Sequence, residues 1–231
     1  AFDLIDHNIL LHKLLELNVP PTIFNWIKSF LTGRRQCVKL GSWSSSWKVL
    51  NGGVPQGTVL GPVLFLVMIN DLLDEWPDRW KYVDDSTATE SVMVDCSSNL
   101  QDLVDYIYNW TVTNNMKLNV TKCKEMILDF GRVKRNFPAL LIENTEVERV
   151  NSAQILGVTI QTKMNWNEHV NKIVKKSGKR LYMLRLLKRA NADTRMLCIA
   201  FTTIIRPVLE YACQVWHFNI PGYLSDDIER V

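Results

Sequence analysis

Asp84 and Asp85 stand side by side after a short strand-like run, Trp80–Val83. Two adjacent carboxylates at a hairpin tip offer hard oxygen ligands to a divalent cation. A pair of such ions, about 3.5–4 Å apart, activates an attacking 3′ hydroxyl and stabilises a leaving pyrophosphate. That chemistry needs at least one further carboxylate from another strand to bridge the ions, so the pair alone does not complete it. The same pair also suits an ordinary turn, because aspartate hydrogen-bonds its local backbone there. Upstream, Gly53-Val54-Pro55-Gln56-Gly57 runs into Leu60-Gly61-Pro62. Glycine has no Cβ, so backbone here can approach a nucleotide or template closely. Gln56 can hydrogen-bond a base or a sugar. A glycine-rich surface turn entering a helix is the plainer reading of the same residues.

The elements that must hold these groups are legible from periodicity. Ile9, Leu10, Leu14 and Leu17 predict a helix over His7–Leu17, ended by Asn18 and Pro20-Pro21. Thr22 is the expected cap of the next helix, and Gly33 its left-handed end. Cys37–Leu40 and Trp47–Leu50 predict a hairpin around Gly41–Ser46. Pro62 suits the first turn of a buried helix over Val63–Leu73. Trp80–Val83 and Thr87–Thr89 predict a second hairpin that carries the acidic pair. Ser98 opens a helix with Leu100, Leu103, Val104, Ile107 and Trp110 inward. Strands are expected at Met126–Phe130, Val147–Val150 and Gln154–Ile160. Asn165 and Glu168 have capping-box spacing before a long helix. Asp193 starts a last helix, broken or bent at Pro207. Strands and helices mix without strict βαβ alternation, so the class is α+β.

Composition bounds the rest. The 231 residues are 47% hydrophobic and 22% charged, which excludes a disordered or disulfide-stapled chain. The longest apolar run, Val63–Ile69, is too short to span a bilayer, and no secretory leader opens the chain. Five widely spaced cysteines form no CxxC pair, so reduced thiols in a nuclear or cytoplasmic protein are expected. The net charge of +3 is unevenly spread. Residues 1–162 carry −3, residues 163–206 carry +9, and residues 207–231 carry −3. The basic block is a candidate polyanion surface, or simply a solvated helix face.

In chain order these segments resemble the reverse-transcriptase domain of a non-LTR retrotransposon, of the LINE type and the jockey and CR1 groups. Ala1-Phe2-Asp3 with Asp6-His7-Asn8 resembles the tail of the first palm motif. Gly53–Pro62 resembles the second, Tyr82-Val83-Asp84-Asp85 the third, and Lys117-Leu118-Asn119 with Lys122 the fourth. Ile155-Leu156-Gly157-Val158 resembles the fifth. Ile205-Arg206-Pro207, Leu209-Glu210-Tyr211 and Trp216 resemble the segment after the palm.

The resemblance implies an RNA-directed DNA polymerase. Its palm, an antiparallel sheet with packed helices, would occupy residues 1–162, and a basic helical thumb-like region residues 163–231, with fingers absent. Asp84 would ligate magnesium, two ions in the intact enzyme, with Asp85 as its acidic neighbour. Phe2 would exclude a ribose 2′ hydroxyl from the nucleotide site, and it also suits a core position. Gln56 and Gly57 would line the nucleotide and template site, and Lys122 would approach the triphosphate. Lys172, Lys175, Lys176, Lys179 and Arg180 would grip phosphates of an RNA template with its DNA primer. Tyr182, Tyr211 and Trp216 are read as core rather than stacking platforms.

The implied substrates are deoxynucleoside triphosphates; no membrane and no protein partner are expected. Relatives carry Phe-Ala where this chain has Tyr82-Val83, which suits a strand equally. In the family a catalytic aspartate lies just before the Ala-Phe-Asp, and Asp3 and Asp6 match other positions. The expectation is therefore a fragment inactive alone and marginal in stability, with an exposed sheet edge. The competing readings are a degenerate or co-opted copy that only binds RNA or RNA–DNA hybrid, and a two-metal nuclease.

Overall fold

The computed structural model describes residues 2–93, 96–132 and 135–231; Ala1 of the first-motif resemblance lies outside them. The chain forms two compact units, Ala1–Cys123 with Phe137–Val147, and Lys124–Asn136 with Glu148–Val231. Residues 148–162, grouped by motif order with the first 147, pack with the second unit.

In the first unit, α1 spans His7–Glu16 because Asp6 caps it, accepting from the Asn8 and Ile9 amides. Leu10 and Leu14 fall on its buried face. α2 spans Pro21–Leu31 and has no side-chain cap. Thr22 does not cap it, because the helix already starts at Pro21, whose fixed φ and missing N–H suit the first position. Gly33 stands left-handed after its end, φ +68°.

The chain then folds into an antiparallel hairpin. Arg35-Gln36 pairs with Lys48-Val49, and Lys39-Leu40 with Trp43-Ser44. α3 runs from Leu60 to Met68, starting and ending earlier than its apolar pattern suggests. At its start, the Thr58 hydroxyl accepts from the Gly61 amide. At its end, two lysines take over the carbonyls that a longer helix would have used. Lys13 Nζ donates to Met68 O at 2.9 Å and Lys81 Nζ to Asn70 O at 2.6 Å.

β1 (Arg79–Tyr82) and β2 (Asp85–Ala88) form the second hairpin. α4 spans Leu100–Thr113. Its Leu103 and Trp110 join a core of Ile5, Leu10, Leu64, Phe65 and Met68. Its Leu100 and Val104 also pack on Leu140, Ile142 and Val147. Those three lie in or directly beside a short hairpin, Leu141-Ile142 with Thr145-Glu146, that the sequence did not announce. Glu143 and Asn144 both have positive φ there, the signature of the tight turn that matches strand twist.

In the second unit, the expected strand at Met126–Phe130 is absent. Among the described residues of this segment Lys124-Glu125 pairs, in parallel, with Glu148-Arg149, and residues 126–130 are not strand. The apolar run Gln154–Ile160 is two strands rather than one, β3 (Ser152–Ile155) and β4 (Val158–Gln161). The chain reverses at Leu156 and Gly157, both at positive φ.

α5 spans Asn167–Arg189, and the expected Asn165–Glu168 capping box does not form. Gln161 replaces it, accepting from the Glu168 amide and donating to the Glu168 carboxylate, each at 3.2 Å. α6 (Thr194–Ala200) is capped by Asp193. A π-helical turn, Phe201–Ile205, then leads into α7 (Arg206–Glu210). The widened turn accommodates Pro207, which lacks an N–H and crowds the carbonyl four residues back.

α8 (Cys213–Trp216) and α9 (Gly222–Glu229) close the unit. Its core holds Val158, Val170, Ile173, Ile205, Val208, Leu209, Trp216 and Leu224. One stretch among the described residues, Thr194–Trp216, is long and apolar enough by length and composition to cross a membrane. Its backbone turns left-handed at Ala212, and its Ile205, Val208, Leu209 and Trp216 are buried in this core. The described residues thus form a mixed α+β structure whose strands pair in small two-stranded sheets.

Candidate active site

Tyr82 pairs with Asp85 across β1 and β2, leaving Val83 and Asp84 as the two-residue turn. Val83 has φ +55°, a conformation that a β-branched residue rarely adopts. Its side chain packs against the main core of the first unit, and that burial holds the strained turn. Asp84 and Asp85 are both exposed.

The hairpin is pinned from below by Lys81. Its ammonium donates to the carbonyls of Ile69 (3.3 Å), Asn70 (2.6 Å) and Leu72 (2.8 Å). The acidic turn is therefore fastened to the end of α3, the helix that the glycine loop opens. Mg²⁺ typically takes one or two protein carboxylates and completes its octahedron with water and phosphate oxygens. Asp84 and Asp85 fit that demand. Among the described residues no group of three His, Cys, Asp or Glu stands close enough to hold a metal ion.

The first- and second-motif segments lie against each other. The Gly53 amide donates to Ile5 O at 2.8 Å and the Val54 amide to Phe2 O at 3.0 Å. His7 Nε2 donates to Gly53 O at 2.7 Å. Gly53 is required here: φ is +79°, and a Cβ would sit 3.0 Å from the Asp3 Cα. The Phe2 ring stacks on Phe65, centroids 4.6 Å apart and 18° from parallel. Gln56 Nε2 donates to Asp3 Oδ1 at 3.2 Å. Gly57 is also left-handed, at φ +76°, with open space around it.

Burial pushes the Asp6 carboxyl upward. Hydrogen bonds from Asn115, Ile9 and Asn8, with His7 nearby, outweigh it and hold the group below its ordinary range. Lys122 is exposed at the end of a 3-10 turn, Val120–Lys122. No hydrogen bond or ion pair among the described residues ties it to the acidic turn.

On α5 the basic residues do two different things. Lys175, Lys176 and Lys179 are exposed at helical spacing. Lys172 reaches Thr159 Oγ1 at 3.2 Å, and Arg180 donates to Ile204 O of the π turn. The same helix buries His169 one turn before Lys172, and its Nδ1 accepts from the Thr159 amide at 3.2 Å. Burial, helped by Lys172, holds the His169 pKa below its ordinary value. Tyr211 donates to Leu156 O at 2.9 Å, docking the fifth-motif turn. Trp216 is core, while Tyr182 and Tyr211 are more than half exposed.

Sequence reasoning missed Lys13 and Lys81, because nothing in a lone lysine's spacing reports a capped helix end. It also missed Asp6, which the residues Asp6-His7-Asn8-Ile9 did signal, as an N-cap before an apolar-periodic helix.

The family model described as "Reverse transcriptase (RNA-dependent DNA polymerase)" matches residues 1–160. A second model, "Alkylated DNA repair protein alkB homolog 8, N-terminal", matches residues 166–205. The chain is similar to the RNA-directed DNA polymerase from mobile element jockey of Drosophila melanogaster. The two are 26% identical over 97% of this chain and 26% of that protein. It is 28% identical, over the same shares, to the jockey enzyme of Drosophila funebris. The same holds for the probable RNA-directed DNA polymerase from transposon X-element of Drosophila melanogaster. The chain thus spans about a quarter of the length of these relatives. The ordered motif segments, the acidic turn between β1 and β2, and a family match over most of the chain agree: this protein belongs to the reverse transcriptase (RNA-dependent DNA polymerase) family.

Proposed function

We propose that this chain is the palm and thumb-like part of a non-LTR retrotransposon enzyme that copies RNA into DNA. The observation that carries the proposal is the exposed Asp84–Asp85 turn, strained at Val83 and fastened to α3 by Lys81. Asp84 and Asp85 would hold magnesium. When bound, the ion neutralises charge developing on the phosphates of an incoming deoxynucleoside triphosphate. Phe2, fixed by its stacking on Phe65, would limit the sugar that fits. Gln56, oriented by Asp3, would meet the nucleotide or template edge, and Lys122 the triphosphate. Lys172, Lys175, Lys176, Lys179 and Arg180 would form the thumb-like grip on template and primer. Arg180 acts there through the π turn that it braces, and the exposed lysines act directly. The reading includes a nuclear or cytoplasmic location, which five widely spaced cysteines with no CxxC pair suit.

The test is primer extension on an RNA template by the full-length polypeptide that contains these residues. Asp84→Asn is expected to cost at least about a hundredfold in rate, the scale of losing a principal electrostatic group. Retained activity would remove the metal assignment. The 231-residue chain alone is expected to incorporate no nucleotide, because among its described residues no third carboxylate joins the pair. Robust incorporation by it would overturn that expectation. The exposed lysines of α5 favour one second reading, a chain that only binds RNA or RNA–DNA hybrid. Salt-dependent binding without magnesium dependence, and no activity in the full-length polypeptide, would select it.

A further inference from the structure

The hairpin of residues 34–50 is the most water-exposed element of the first unit, and neither of its faces is buried. Trp43 is 81% exposed, Leu40 80%, Val38 74% and Trp47 65%. A bare two-stranded hairpin is marginal in water, and exposed apolar residues gathered on one element mark an interaction site more often than ones scattered singly. The charged residues of this hairpin are all of one sign. Residues 34–50 contain Arg34, Arg35, Lys39 and Lys48 and no Asp or Glu. Arg34 is committed to the base, donating to Phe30 O and lying over the Phe30 ring. The other three cations are exposed.

Between the two ladders, two residues on the outgoing strand oppose three on the return, Ser45–Trp47. Such a bulge re-aims the side chain at its corner, here Trp47, whose ring lies 5.9 Å from the Arg35 guanidinium carbon.

We propose that this hairpin is a docking strip for single-stranded nucleic acid. Its indoles stack on unpaired bases, and Arg35, Lys39 and Lys48 meet the phosphates between them. Indole faces select a single strand over a duplex, whose bases are already stacked on one another. The uniformly positive charge selects a polyanion over an apolar protein segment. The surface is made of other residues than the acidic turn and the lysines of α5, and it needs no catalytic competence.

The measurement is fluorescence anisotropy of a labelled single-stranded RNA of about 15 nucleotides, titrated with the 231-residue chain at low and high salt. W43A/W47A is expected to weaken binding at least about tenfold, and R35E/K39E to weaken it and flatten the salt dependence. W43F/W47F keeps aromatic faces and should bind within about threefold of the parent, which separates stacking from folding. W43A/W47A should weaken binding further on a K175E/K176E/K179E background. The proposal fails if W43A/W47A binds like the parent. It fails equally if the tryptophan changes weaken an RNA–DNA hybrid as much as the single strand. A parent chain that sediments as a dimer, and becomes a monomer on W43A/W47A, would assign the hairpin to a second copy instead.

Discussion

Gln56 donates its side-chain amide to the carboxylate of Asp3 at 3.2 Å, joining residues 53 positions apart in the chain. The bond closes a contact made mainly by backbone, in which Phe2–Asp6 runs along Gly52–Val54. The stacked Phe2 and the polar Gln56 are thereby presented from one joint. The glycine loop is built to fit the neighbouring segment.

Gly53 and Gly57 differ in that fit. Both are left-handed, but only Gly53 would push a Cβ against Asp3. Gly57→Ala should cost about 1–2 kcal/mol, the strain of a left-handed alanine. Gly53→Ala should cost clearly more, about 3 kcal/mol, because the two segments must also part. Urea unfolding of the two variants measures the difference; equal losses would remove the close-contact argument.

Lys81→Met keeps the stem of the side chain and removes the ammonium that serves the carbonyls of Ile69, Asn70 and Leu72. The expected loss is about 2 kcal/mol, that of carbonyls left without their donor. Thermal unfolding followed by circular dichroism reads it, and a loss below about 0.5 kcal/mol would mean that water replaces the lysine freely.

His169 makes the second unit sensitive to acid. Its folded pKa lies below the ordinary 6.5 because burial, then Lys172, disfavours the charged ring. The unfolded chain therefore binds a proton first as pH falls, so stability drops as pH goes down through about 6.5 and levels off below the folded value. Protonation also ends the acceptor role of Nδ1 toward Thr159. Urea titrations between about pH 8 and pH 5 should show this slope, and His169→Gln should flatten it. An unchanged slope in the variant would place the acid sensitivity elsewhere.

Helices with an apolar stripe were legible in advance: α1, α2 and α4 lie within a few residues of where Leu10, Ile27 and Leu103 put them. The acidic hairpin was legible too, because Tyr82 and the paired aspartates combine strand and turn preferences. The two-residue ladders were not, since Leu141-Ile142 is too short to display a period. The split at Leu156-Gly157 was hidden by flanking residues that are apolar on both sides. Long-range polar bonds left no trace at all. Gln161 capping α5 and Lys13 closing α3 depend on tertiary neighbours, and local spacing reports only local partners. For the site, the residue types were readable, whereas the joint between Asp3 and Gln56 emerged only from the folded chain.

The backbone passes from the first unit to the second at residue 123, returns at 137, and leaves again after 147. The excursion carries Leu140, Ile142 and Val147 back to α4. Each unit is therefore assembled from two separate stretches of the chain, and no single scission, at residue 123 or at 162, yields two intact halves. Any shuffling or truncation of this chain has to move three crossings together.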